Sequence, residues 1–277
     1  MKQIVLIAST QHSGSAFTRM LFYHLFFDQK KGRRTQPCQI GFLPKEKTFR
    51  IIYNPIDNPG NVNIYHFRKT IDKVETFLES KTRDGRILVV SFHIGWPENS
   101  FPSEAEASRL ICNYPTVVPI RDPLRNIISK HARGGSKGIR KTFSTPDTTN
   151  GCCFLATLPS KPFFLTVDLL AKASVEQRRS KLLQFIEFCE AEKFNSKAFE
   201  SLANEWKVYN STSNNYARVV SNPIIKVKKN ELDGYYDAQD LNSLTESMPR
   251  SMKLLKKNVS IIKPFLETLG YKNLFWW

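Results

Sequence analysis

Ile4 to Leu21, IVLIASTQHSGSAFTRML, runs from a continuous apolar segment through a short polar turn into a helical pattern. A second stretch, from Pro115 to Ser129, PTVVPIRDPLRNIIS, has the same order of parts. Each apolar run is typical of a strand buried on both faces. The pair predicts two strand–turn–helix corners on one parallel sheet, each suited to a phosphate, and so indicates a nucleotide with phosphates at both ends of its ribose.

The rest of the chain alternates strand-like runs with helical patterns, which predicts an α/β fold with a central, mostly parallel sheet flanked by helices. No internal repeat and no clear linker divides the sequence, so we expect a single domain over residues 1–277. The other predicted elements are a helix over 65–80, a strand over 87–90, a helix over 103–111, a polar loop over 132–151, helices over 173–192 and 195–209, a strand over 223–228 and a helical tail over 249–269.

Composition limits the class of protein and of partner. The apolar share of 41% is enough for a packed core and too high for a disordered chain. The formal net charge of +16 attracts anionic ligands, nucleic acid or an anionic membrane surface, and does not choose among them. A solvated basic surface accounts for most of the 41 basic side chains.

Membrane and metal signals are weak in this sequence. No stretch approaches the ~20 apolar residues that span a bilayer, and the N-terminus lacks the pattern of a signal peptide. The cysteines are odd in number and have no metal-ligand spacing, so we expect reduced thiols in a cytoplasmic protein without a metal site. These cysteines are Cys38, Cys112, Cys152, Cys153 and Cys189.

The first corner contains Ser13-Gly14-Ser15. Small residues let an anion approach the free backbone N–H groups at a helix N-terminus, and two hydroxyls offer further donors. A Walker A loop would need a lysine after its last glycine, and Ser15 stands there instead. This favours a phosphate site other than that of an ATP-dependent kinase, although a loop of this kind standing alone is more often a tight turn capped by serine.

The second corner places Arg121 at the end of a strand, where ligands collect in open α/β sheets. Asp122-Pro123 then begins a helix, and Ser129 follows about two turns later. An arginine fork with a hydroxyl suits a second phosphate. The alternative is an arginine that pairs with Asp122, with Asp122 serving only as a helix cap.

Arg121-Asp122-Pro123 with Ser129 resembles the 3′-phosphate motif of sulfotransferases that use 3′-phosphoadenosine 5′-phosphosulfate (PAPS). The Ser13-Gly14-Ser15 turn is similar to the 5′-phosphosulfate loop of that family, and the two motifs occur in the same order. The resemblance implies a P-loop-like sulfotransferase architecture with PAPS as the donor and no metal. It also implies donor-binding residues at Gln11, His12, Ser13, Gly14, Ser15, Ala16, Arg121 and Ser129.

Two positions of the first loop depart from the family pattern. His12 stands where the family has a lysine or arginine beside the transferred group, so the resemblance gives His12 a catalytic position. Ala16 replaces a hydroxyl residue that usually binds the 5′-phosphate.

His93 follows the apolar run Val89-Val90-Ser91-Phe92 and resembles the histidine of the Lys-Thr-His segment in cytosolic sulfotransferases. A base that takes the proton of a hydroxyl or amine makes it a good nucleophile, and histidine suits this role near neutral pH. We therefore predict His93 as the catalytic base. A structural histidine that bonds at a strand end is the alternative.

The sequence thus predicts in-line transfer of a sulfuryl group from PAPS to a hydroxyl or amine of a small-molecule or glycan acceptor. Two alternatives remain open. One is a P-loop-like nucleotide or sugar kinase. The other is a non-catalytic, basic protein that binds polyanions or nucleic acid, for which the two matched corners are a poor fit.

Overall fold

The computed structural model describes residues 3–10, 13–26, 37–43, 48–53, 63–68, 87–95, 104–127, 147–191, 193–206, 246, 249–272 and 274. The strands are β1 (Gln3–Ser9), β2 (Pro37–Leu43), β3 (Thr48–Tyr53), β4 (Asn63–Arg68), β5 (Ile87–His93), β6 (Thr116–Ile120) and β7 (Phe163–Thr166). The helices are α1 (Ser15–Phe26), α2 (Glu104–Asn113), α3 (Asp147–Ala156), α4 (Val167–Lys172), α5 (Val175–Phe188), α6 (Ser196–Glu205), α7 (Pro249–Lys257) and α8 (Val259–Thr268).

The strands form one sheet in the order β4-β3-β2-β5-β1-β6-β7. The pairs from β2 through β5, β1 and β6 to β7 are parallel, whereas β2–β3 and β3–β4 are antiparallel. The predicted α/β class with a mostly parallel sheet is therefore confirmed. Strand β1 lies inside the parallel part, between β5 and β6. Strands β2 to β5 lie on one side of β1, and β6 and β7 lie on the other, so β1 is at a topological switch point.

Alternate side chains of the central strands enter two separate cores, one on each face of the sheet. On β1, Ile4 and Leu6 pack with α2, α3, α7 and α8, whereas Val5 and Ile7 pack with α1, α4, α5 and α6. This is the period of two that a pleated strand imposes. Helices must cover both faces, because no face of β1 can be left to solvent.

Local signals account for several helix ends. Ser174 and Gln177 form a capping box at the start of α5, and Asn195 accepts the N–H of Ala198 at the start of α6. Helix α8 ends in a Schellman motif: Gly270 has φ +93°, its N–H bonds to the Glu267 carbonyl at 3.0 Å, and the next N–H bonds to Leu266 at 3.1 Å.

Most of the predicted elements in the described part are confirmed, with shifted ends. The strand predicted over 87–90 extends to His93 as β5, and the helical tail is divided into α7 and α8. Strands β2 and β3, and β7 with α4, are not among the predicted elements. The strand predicted over 223–228 lies outside the described residues.

Two predicted elements are wrong in part. Residues 65–68 are strand in β4, which pairs antiparallel with β3, and not the start of a helix. Ile64, Tyr65 and Phe67 are residue types that favour strands, and pairing with β3 outweighs the helical spacing. Residues 147–151 begin α3 and are not loop, and Thr148 and Thr149 in its first turn are buried.

Among the described residues, the helices are too short or too polar to cross a bilayer.

Gly270 sets the direction of the chain after α8. An added Cβ would meet Leu169 at an ordinary 3.7 Å, so a substitution is opposed by the positive φ and not by lack of space. We expect Gly270→Ala to lower the free energy of unfolding by about 1–2 kcal/mol, and Gly270→Asn by less, because asparagine tolerates this conformation better. Thermal unfolding of both variants measures this, and equal losses would contradict it.

Candidate functional site

The carboxyl ends of β5, β1 and β6 meet at one edge of the sheet. Ser9 and His93 are partners in the β1–β5 register. On the other side, β1 pairs Ile7 with Val117, and Pro119 beyond this pair has no N–H with which to extend the ladder. Arg121 follows directly after β6. The first corner, with His93 and Arg121 on either side of it, therefore lies at the carboxyl ends of three neighbouring strands. This is a topological switch point of the sheet, where open α/β folds bind ligands.

The first corner is a tight turn closed by the carbonyl of Thr10. The Ser13 hydroxyl donates to that carbonyl at 2.8 Å, and the Ser13 N–H does so at 3.3 Å. The sequence predicted the Ser13 hydroxyl as a donor to an anion, but in this structure its proton is directed inward and holds the turn. What the corner offers an anion is chiefly the backbone N–H groups of the first turn of α1, whose first residue is half-buried Ser15.

Gly14 is required at this turn for two separate reasons. Its φ is +111°, a conformation that side chains disfavour, and an added Cβ would lie 3.1 Å from Cγ2 of Val167. Its carbonyl accepts the N–H of Thr18 at 2.9 Å and the Thr18 hydroxyl at 3.0 Å. Gly14 therefore both turns the chain and starts the hydrogen bonding of α1.

The second corner begins at half-buried Arg121. Asp122 caps the following helical residues 123–127, because its Oδ1 accepts the N–H of Leu124 at 2.9 Å. The predicted start of a helix at Asp122-Pro123 is confirmed. Gln11, His12, Ser129 and the side chain of Ala16 lie outside the described residues, so their predicted roles stay predictions.

Asn126 connects the two corners. It is buried after the second corner, and its Nδ2 donates to Oγ1 of Thr10 at 3.3 Å. Helix α3 closes over the same point, since a Cβ on Gly151 would lie 2.3 Å from Thr10 Cγ2. Sequence reasoning missed Thr10 and Asn126, because the contact joins positions 116 residues apart.

His93 is partly buried at the end of β5. Its Nδ1 lies 3.3 Å from the Ser9 carbonyl and 3.2 Å from the Ser9 hydroxyl. The carbonyl can only accept, and the Ser9 hydroxyl points its own proton at the Phe92 carbonyl at 3.4 Å. Both contacts are satisfied when Nδ1 carries the proton, which leaves the lone pair of the neutral ring on Nε2.

The buried carboxylate of Asp168 is bonded to the backbone next to Arg121. Asp168, at the start of α4, accepts the N–H of Asp122 at 3.0 Å and the phenol of Tyr271. Burial and the negative charge of Asp168 raise the pKa of Tyr271 well above its ordinary value of 10.0, so the phenol is neutral at physiological pH. Neither residue was singled out from the sequence, where they are 103 positions apart.

Cys152 lies in α3 beside this edge. Burial, followed by the charges of Cys153 and Asp122, raises its pKa to about 12. The thiol is therefore protonated at neutral pH and unsuited to nucleophilic chemistry. Within the described ranges, no group of three or more His, Cys, Asp or Glu side chains forms a candidate metal site.

No family model and no curated protein matches the chain. Among solved structures, the mouse sulfotransferase SULT7A1 complexed with PAP is similar, with a TM-score of 0.45 and 10% identity. The match covers 91% of this chain and 85% of that chain. The likeness is one of fold.

Two buried oxygens near the corners have no hydrogen-bond partner within the described part of the chain: Asn126 Oδ1 and Thr148 Oγ1. Burying a hydroxyl without a bond costs about 1–3 kcal/mol. We expect Thr148→Val to raise the free energy of unfolding by about 1 kcal/mol, because valine keeps the shape and removes the buried hydroxyl.

Thr18→Val is the matched control for that measurement. The Thr18 hydroxyl is equally buried but bonds to the Gly14 carbonyl, so the same substitution should lower stability by ~1 kcal/mol. Denaturant unfolding of both variants gives opposite signs if the assignment is right. A loss of stability in Thr148→Val would indicate that an internal water satisfies the hydroxyl.

Proposed function

We propose that this chain is a sulfotransferase that uses PAPS as its donor. The single observation that carries the proposal is the order of groups along one sheet edge. His93 on β5, the Ser13–Ser15 turn after β1 and Arg121 after β6 occupy three neighbouring strands. Neighbouring strands are about 4.8 Å apart, so His93 and Arg121 belong to strands about 10 Å apart with the first corner between them.

This order matches the order of groups in the donor. The 5′-phosphosulfate would lie at the central corner, above the N-terminus of α1, and the 3′-phosphate would lie toward Arg121. The sulfuryl group and the acceptor would then lie toward His93. A nucleotide with a single phosphate cluster would use the central corner and would leave Arg121 without a ligand.

Each side chain has a distinct part in the transfer. Nε2 of His93 takes the proton of the acceptor hydroxyl or amine as the acceptor atom bonds to sulfur, and the bond from sulfur to the bridging oxygen breaks in line. The negative charge then grows on the leaving 5′-phosphate, and the N–H groups of α1 are aimed there. The Ser9 carbonyl fixes the ring by holding Nδ1–H, which keeps the lone pair on Nε2.

The remaining predicted residues complete the donor site. Gln11, His12 and Ala16 belong to the same loop as Ser13, Gly14 and Ser15, and we propose that His12 lies beside the transferred group. Ser129 would join Arg121 at the 3′-phosphate. The acceptor is a hydroxyl or amine of a small molecule or glycan, and transfer in this scheme needs no metal.

Calorimetric titration with 3′-phosphoadenosine 5′-phosphate (PAP), AMP and ATP tests the donor site. We expect PAP to bind much more tightly than AMP or ATP, because only PAP has a phosphate for Arg121. Arg121→Ala should weaken PAP binding by about 10- to 100-fold, which corresponds to one charged hydrogen-bonded contact, and should leave AMP almost unchanged.

Arg250→Ala is the matched control, because Arg250 is exposed on α7 and the substitution changes the net charge equally. It should leave PAP binding within about twofold, since a single exposed charge is screened by salt. Equal weak binding of all three nucleotides, with equal losses in both variants, would identify a polyanion-binding protein.

The role of His93 has its own test. We expect His93→Ala to lower the rate of sulfuryl transfer by about 10²- to 10⁴-fold, the usual contribution of a general base, while PAP binds within about twofold of wild type. Transfer is measured as PAP formed from PAPS with a panel of phenols, amines and sugars. Ser9→Ala should lower the rate by a smaller factor, because the carbonyl contact to Nδ1 remains. Loss of PAP binding in His93→Ala, with the rate unchanged at saturation, would make the histidine structural.

A further inference from the structure

Asp168 is a buried carboxylate outside the groups that the proposed mechanism uses. It belongs to the first turn of α4, and only 6% of its surface is exposed. A buried charge is costly unless hydrogen bonds satisfy it. Its partners therefore show which parts of the fold it holds.

One oxygen of Asp168 bonds to the chain just after Arg121. Oδ2 accepts the N–H of Asp122 at 3.0 Å, which is the N–H of the peptide that follows Arg121. The other oxygen, Oδ1, accepts the N–H of Leu169 at 3.1 Å. The first of these bonds fixes the orientation of the Arg121–Asp122 peptide plane.

The second oxygen also bonds to Tyr271, which reaches the chain just before Arg121. The Tyr271 phenol shares its one proton between Oδ1 of Asp168 and the Ile120 carbonyl, whose oxygen lies 3.3 Å from the phenol oxygen. That carbonyl belongs to the peptide that precedes Arg121. Tyr271 is 1% exposed, and the Schellman motif at the end of α8 delivers it to this position.

The two peptide planes on either side of Arg121 are thus both held by one pair of side chains. The preceding plane sets φ of Arg121 and the following plane sets ψ, so together they fix the direction of its Cα–Cβ bond. The positive charge of Arg121 lowers the pKa of the Tyr271 phenol, an effect smaller than the raising effects of burial and of Asp168.

We propose that Asp168 and Tyr271 are positioning residues that aim Arg121 at the 3′-phosphate of the donor, an inference that rests on the proposed function. They touch the backbone of the residues on either side of Arg121, and in this proposal they do not touch the nucleotide. Their contribution is to the selectivity for PAP over AMP, because only PAP requires the guanidinium in a fixed place. A purely structural pair would support the fold and leave that selectivity unchanged.

The experiment compares PAP and AMP binding by calorimetry in wild type and Tyr271→Phe, below the unfolding temperature of each protein. Phenylalanine keeps the buried ring and removes the phenol. We expect the ratio of the AMP and PAP dissociation constants to fall by about tenfold, because a small displacement of a positioned group can cost up to ~100-fold. AMP binding itself should change by less than about twofold.

Thr157→Val is the matched control. It also removes one hydroxyl that donates to a backbone carbonyl, that of Phe154 at 3.0 Å, but at the end of α3. We expect a smaller loss of thermal stability, because Thr157 is exposed, and an unchanged ratio of the AMP and PAP dissociation constants. Asp168→Asn is the second variant, since it keeps the shape, replaces one acceptor oxygen by a donor and should lower the ratio as Tyr271→Phe does.

The outcomes separate the two proposals. If wild type prefers PAP and Tyr271→Phe loses that preference while Thr157→Val keeps it, the positioning role is supported. If wild type prefers PAP and Tyr271→Phe keeps the full preference, the positioning role is overturned and the donor site stands. If wild type shows no preference for PAP, both are overturned.

Discussion

The burial of β1 on both faces is the constraint on which the rest of the structure depends. Every described side chain from Ile4 to Thr10 is buried, so this strand can exist only with helices above and below it and with parallel neighbours on both sides. Polar chemistry is thereby excluded from the middle of the sheet. It is concentrated where the strands end, and in a parallel sheet all of these ends lie along one edge.

Two adjacent residues at the start of α4 support both corners of that edge. Val167 packs against Gly14, with Cγ2 3.1 Å from the position that a Cβ would take, and Asp168 holds the backbone beside Arg121. The carbonyl of Val167 is in turn held by the indole of Trp206, at 3.0 Å. The distance between the two proposed phosphate sites is therefore set by a single turn of chain at the end of β7, a strand that sequence reasoning missed. The hydrogen bond from Asn126 to Thr10 is a second connection between the two corners.

The sequence was most informative where local and long-range preferences agree. The strand Thr116 to Ile120 and the helix after Ser15 were predicted because buried-strand and helical periods are strong there. Residues 65–68 were misassigned because their apolar spacing also fits a helix, and only pairing with β3 decides for strand. The turn at Ser13 was predicted, whereas the inward direction of its hydroxyl was not. That direction depends on the position of the Thr10 carbonyl, which no sequence pattern reports.

The hydrogen bonds of Asp168 and Tyr271 beside Arg121 could not be predicted from the sequence for a similar reason. Asp168 and Tyr271 come from distant parts of the chain. In the sequence, Asp168 is an ordinary acidic residue in the first turn of a helix, and Tyr271 is an ordinary aromatic residue after the glycine that ends a helix. Only the fold brings them together beside a third segment.

The composition gives only the net charge, whereas the structure distinguishes long-range attraction of anions from their local orientation. The net charge of +16 acts at long range and is screened beyond ~8 Å at physiological salt, so it can draw an anion toward the protein without orienting it. At the edge itself, the charges of Asp122 and Asp168 act on Tyr271 in the opposite sense to the charge of Arg121. Under the proposed function, selectivity at this edge therefore comes from the direction of the N–H groups and of the Arg121 guanidinium, and not from an excess of positive charge. Under the proposed function a buried carboxylate is compatible with an anion site, because Asp168 holds the backbone beside Arg121 while its charge opposes nonspecific anions.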